Sequence, residues 1–139
     1  MKAMVGSLKS RTKLVVSIAS LYFVQGLPAG FINIALAGYL LERGSSEQEI
    51  ATLMSVALVP WAFKVAWAPV IDRAVGAWRQ RWIALAMLLT GLALIALAGM
   101  EQLSYGVMLT LVFAINGFAS LQDVAVDAIA VNSVEATDR

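Results

Sequence analysis

The residues best suited to chemistry in this sequence are one lysine and two aspartates, Lys64, Asp123 and Asp127, each set in a run otherwise nearly free of charge. A charged side chain at membrane depth costs on the order of 3 kcal/mol on insertion scales, so such residues are rare and turn toward a bundle interior or an aqueous cavity. Asp123 and Asp127 are four residues apart and share a helical face. Two carboxylates one turn apart repel when both are ionised, so one of them needs a cation beside it or a proton on it. That is the electrostatic setting a proton-coupled pathway uses. Lys64 lies eight residues before Asp72, roughly 12 Å along a helix, and Asp127 lies eight residues before Glu135. The lysine and the aspartate therefore stand at similar depth from one side, close enough for an ion pair if their helices pack.

More polar residues extend these faces. Asn116, Ser120, Asp123 and Asp127 follow at intervals of four, three and four, and Tyr22, Gln25 and Asn33 fall on a comparable stripe. The second stripe is interrupted by Gly26-Leu27-Pro28-Ala29-Gly30, where Pro28 withholds a backbone donor, tolerable in lipid only beside protein or water. Gln25, Asn33 and Asn116 are thus candidates, with Lys64, Asp123 and Asp127, for a solute and proton pathway. The plainer reading is helix adhesion, with Gly26 and Gly30 as a small-xxx-small pair and Lys64 snorkelling to the headgroups. There is no cysteine and no histidine, which excludes disulfides, thiol nucleophiles, zinc clusters of the usual ligands and histidine acid/base work. No catalytic residue, metal or cofactor is expected.

The elements that must position these groups are long apolar segments. Sixty per cent of the 139 residues are apolar and 14% are charged, against roughly 45–50% and 25% in soluble domains. A net charge of +1, with no basic face, makes nucleic acid an unsuitable partner. A basic start, residues 1–13, precedes four predicted transmembrane helices over about 14–41, 48–70, 82–100 and 103–133, which make up a 14–134 membrane region; 135–139 is a short polar end. The first apolar run is longer than a signal sequence and reads as a retained helix. Ser46 and Glu49 have capping-box spacing at the start of the second. Basic residues place both ends and the Asp72 to Arg81 loop in the cytoplasm: Lys2, Lys9, Arg11 and Lys13, then Arg73, Arg79 and Arg81, then Arg139, against Arg43 alone on the other side. Trp78 and Trp82 suit an interfacial belt beside that loop.

Three segments, Leu21-Tyr22-Phe23-Val24-Gln25-Gly26-Leu27-Pro28-Ala29-Gly30, Phe63-Lys64-Val65-Ala66-Trp67-Ala68-Pro69-Val70-Ile71-Asp72-Arg73 and Gln122-Asp123-Val124-Ala125-Val126-Asp127, carry a resemblance. They resemble the AmpG-type branch of the major facilitator superfamily, the peptide and acetyl-coenzyme A transporters. The resemblance implies an all-α membrane fold in which these four helices form part of the N-terminal bundle of about twelve. The chain is accordingly expected to be an N-terminal fragment, completed by the C-terminal helices or by self-association. It also implies a permease, by expectation a proton symporter, for a muropeptide-, siderophore- or acetyl-coenzyme A-like small-molecule solute in a bacterial inner membrane. Lys64, Asp123 and Asp127 would be its polar centre, Gln25 and Asn33 would face the cavity, and Asp72 with Arg73 would form a cytoplasmic gate. Two other functions compete. Membrane prenyltransferases use Asp-x-x-x-Asp to hold a magnesium diphosphate, but they need a second acidic motif, and only Asp72 and Asp138 remain. A small helical assembly protein without transport is the other.

Overall fold

The computed structural model describes residues 2–73, 77–98 and 104–135, with side chains at 11–69, 71, 73, 78–98 and 104–132. Everything described is helix or short turn: α1 (Lys2–Gly30), a π-helical segment (Phe31–Leu36), α2 (Ala37–Glu42), α3 (Glu47–Ala62), α4 (Lys64–Asp72), α5 (Ala77–Ala98) and α6 (Tyr105–Glu135). Four stretches are long and apolar enough to cross a membrane: Arg11–Glu42, Glu47–Pro69, Trp78–Ala98 and Tyr105–Asn132. The expected all-α architecture with four such helices is what the chain adopts.

Local chemistry accounts for the turns. Gly44 has φ 81°, the left-handed conformation that costs glycine nothing. The amides of Gly44 and Ser45 then bond back to the carbonyls of Leu41 and Leu40, each at 3.0 Å, closing the end of α2. Two residues on, Ser46 caps α3: its Oγ accepts from the Glu49 amide at 3.3 Å, and the Glu49 carboxylate accepts from the Ser46 amide at 2.9 Å.

Two spans are not uniform α-helices. In the first, Pro28 removes one intrahelical bond, and the wider π-helical stretch begins three residues later. The second, read from sequence as one helix, breaks at Phe63 into α3 and α4. Pro60, buried in the last turn of α3, lacks the amide that would continue the ladder, and beyond the break the Ala66 amide bonds to the Phe63 carbonyl only three residues back, at 2.9 Å.

The last helix, α6, is the centre of the assembly, packing along α5 and also against α1, α3 and α4. Two apolar clusters hold it. One gathers Ile32, Leu36 and Leu40 with Leu53, Ala57, Leu97, Met108, Val112 and Ile115. The other gathers Ile71 and Ile83 with Val124, Ala125 and Val126. Between Ile115 and Val124 the buried face of α6 turns polar, with Asn116, Ser120, Gln122 and Asp123 all buried. Gly26, Gly30 and Gly117 bring no helix close: a Cβ built on any of them meets nothing within 4 Å among the described residues.

Candidate functional site

The polar layer between the two apolar clusters draws on three helices, and α6 supplies its acidic side. Asp123 and Asp127 project from successive turns toward α4 and α1. The break at Phe63 makes Lys64 the first residue of α4. A cation is unfavourable at a helix N-terminus, where the backbone dipole is positive, so this ammonium depends on outside carboxylates. It has two: Nζ contacts Oδ2 of Asp123 and lies 3.0 Å from Oδ2 of Asp127.

From α1, Gln25 Nε2 donates to Oδ1 of Asp123 and the Tyr22 hydroxyl donates to Oδ1 of Asp127. All four carboxylate oxygens thus have a donor, each carboxylate receiving one bond from α1 and one from Lys64. Hydrogen bonds to charged groups are worth about 1.5–3 kcal/mol each, which is how two carboxylates persist one turn apart. With both ionised, these three charges sum to −1, since one ammonium faces two carboxylates. In a setting of low dielectric this leaves room for one further positive charge.

The two carboxylates differ in access. The Asp123 side chain is 12% exposed and that of Asp127 is 43% exposed. Asp127 and Lys64 line an open cleft of about 440 Å³ between α4 and α6, whose walls are apolar side chains such as Val65, Ala68, Val124 and Val131, with Asn132 at one side.

The remaining candidates take different places. Asn116 is buried two turns before Asp123 on α6, accepting from Trp61 Nε1 at 3.0 Å and donating to the Val112 carbonyl at 2.9 Å. Ser120 is fully buried and donates to the Gly117 carbonyl at 2.9 Å. Asn33 is exposed, and its amide bonds to the Ala29 carbonyl of its own helix at 2.8 Å, so it does not join the carboxylates. Arg73 is exposed; the side chain of its partner in the expected gate, Asp72, lies outside the described residues. Trp61 was not singled out by its sequence position, and Tyr22 was noticed only as part of a stripe. Gln25 Oε1 and Gln122 Nε2 are buried with no protein partner. Among the described residues, no group of three or more His, Cys, Asp or Glu side chains is placed to hold a metal ion.

Comparison with known proteins assigns the chain to a family. The family model described as acetyl-coenzyme A transporter 1 matches residues 14–114, which takes in Tyr22, Gln25 and Lys64 and stops short of the two aspartates. An uncharacterized protein of Schizosaccharomyces pombe is 36% identical over 73 residues, 50% of this chain; the matched part spans 14% of that protein's length. No solved structure matches. Because the family match runs through the first three membrane-spanning helices and into the fourth, this integral membrane chain belongs to the acetyl-coenzyme A transporter 1 family.

Proposed function

We propose that the chain works within a proton-coupled secondary transporter of the major facilitator type, carrying an acetyl-coenzyme A-like solute, with Lys64, Asp123 and Asp127 at the proton site. The observation that carries this reading is the Lys64 bridge between two carboxylates on a helix apolar enough to cross a membrane. A structural ion pair needs one carboxylate. The second leaves the trio one negative charge in excess, and a proton that comes and goes with helix movement is the simplest way to fill it.

Transporters of this kind rock one helical bundle against another about a site near the midplane. Lys64 belongs to α4, the carboxylates to α6, and Tyr22 and Gln25 to α1, so a shift of any one of these elements relative to the other two during rocking changes the donors around the acids. Gln25 and Asn116 extend the polar layer, and Asn33 is available on the exposed side of the first span. The basic loops put the N-terminus and the Asp72 to Arg81 loop on the cytoplasmic side, with Asp72 and Arg73 as gate residues.

The test is reconstitution into proteoliposomes with acetyl-coenzyme A as solute and an imposed pH gradient. Asp123→Asn and Asp127→Asn keep shape and remove titration. Each is expected to abolish gradient-driven accumulation while leaving exchange down a concentration gradient partly intact. Unchanged accumulation, with unchanged pH dependence, in both single variants and the double variant returns the residues to helix adhesion.

A further inference from the structure

From the donors around each acid we infer that the two aspartates have separate tasks: Asp127 takes up and releases the proton through the cleft between α4 and α6, and Asp123 is the fixed counter-charge of Lys64. This rests on reading the trio as a proton site, and adds which oxygen carries the proton and which side chain permits it.

The first reason is access. Asp127 lines the cleft and keeps 43% of its side-chain surface, whereas Asp123 keeps 12% and is not among the residues that line it. A proton arriving from water meets Asp127 first.

The second reason lies in the partners from α1. A hydroxyl donates or accepts by turning about one bond, whereas an amide NH2 only donates. Tyr22 donates to ionised Asp127. When a proton binds Oδ1 of that carboxylate, the Tyr22 hydroxyl can rotate and accept from it, so the hydrogen bond survives with its direction reversed. Gln25 Nε2 donates to Asp123. A proton on that oxygen would set two donors against each other, relieved only by turning the whole amide over inside a buried site. The cost of protonation is therefore lower at Asp127 on geometric grounds alone.

The step is a simple one. One proton leaves the cleft water and bonds to Asp127, no other covalent bond changes, and the charge of the trio goes from −1 to 0. Lys64 then has a single ionised partner, Asp123, while Oδ2 of Asp127 remains an acceptor for its ammonium. Among the described residues, the charged and titratable groups facing Asp127 are Tyr22 from α1, Lys64 from α4 and Asp123 from α6; on α5, Arg79 directs its Nη1 to the Ala128 carbonyl at 3.4 Å. From α3 the nearest polar partner in the layer is Trp61, held on Asn116.

Infrared difference spectroscopy of the protein in lipid bilayers, between acid and alkaline pH, reads the carboxylic C=O band directly and needs no solute or transport. A protonated-carboxyl band that disappears in Asp127→Asn and persists in Asp123→Asn is the expected result. Tyr22→Phe should keep the band and move it to higher frequency, because the carboxyl loses its partner. Since Asp123→Asn removes one of the two carboxylate partners of Lys64, Lys64→Gln combined with Asp123→Asn serves as the balanced second variant, and the band should persist there too. A band that survives Asp127→Asn and is lost with Asp123 overturns the assignment while leaving a proton site in place. If neither Asp127→Asn nor Asp123→Asn removes a pH-dependent carboxyl band, both this inference and the proton-coupled reading are overturned.

Discussion

Lys64 is held between two acids of one helix, and this sets what its loss does. Lys64→Met leaves two carboxylates facing each other across one turn; because Lys64 keeps 36% and Asp127 43% of its side-chain surface, solvent screens part of the loss, which should be roughly 1–2 kcal/mol. The same change combined with Asp123→Asn and Asp127→Asn removes the repulsion and keeps acceptors for Gln25 and Tyr22, so it should recover most of that loss. Chemical unfolding in detergent measures both, and a Lys64→Met variant as stable as the unmodified chain contradicts the account. Much of the cluster was legible by counting. Eight residues from Lys64 to Asp72 and eight from Asp127 to Glu135 give the shared depth, and the intervals along α6 give the shared face. Gln25 also lay on a visible stripe. Asn33 shares that stripe but lies within the π-helical stretch, where its amide bonds to its own backbone, and no pattern of residue types announces that. Trp61 escaped notice because an indole N–H acquires its partner only when α3 meets α6.

At the scale of elements, the capping box is the feature whose chemistry is most local, and it was readable from Ser46 and Glu49 alone. Ser46→Ala removes the side-chain acceptor for the Glu49 amide and should cost about 1 kcal/mol of stability, a size typical of lost N-caps. A thermal midpoint unchanged within error in Ser46→Ala would show that the turn is held by Gly44 and by apolar packing instead. The break at Phe63 belongs to the opposite class. Pro60 and Pro69 both warn of disturbance, yet a proline marks only a missing amide, and the chain breaks after the first of them and runs on through the second. That break decides where Lys64 points, so the site depends on an irregularity that residue periodicity smooths over.

For the whole molecule, orientation in the bilayer is the property to establish. The chain has no cysteine, so single cysteines can be introduced without background. With the N-terminus inside, Ser45→Cys should react with an impermeant thiol reagent from the outside and Trp78→Cys only from the cytoplasmic side; the reverse pattern inverts the topology. Connectivity was less legible than span number: four apolar stretches follow from composition, but that the fourth is the hub touching α1, α3, α4 and α5 emerges only from packing. That hub is also the last of the four to be synthesised. Sixty-three residues separate Lys64 from Asp127, which at translation rates of roughly 5–20 residues per second is about 3–13 seconds of chain growth. Through that interval the second span is in the membrane, or waiting at its entry, with an ammonium whose carboxylates do not yet exist. Biogenesis therefore contains a timed vulnerability, which ends when α6 arrives and gives the ammonium its two carboxylates.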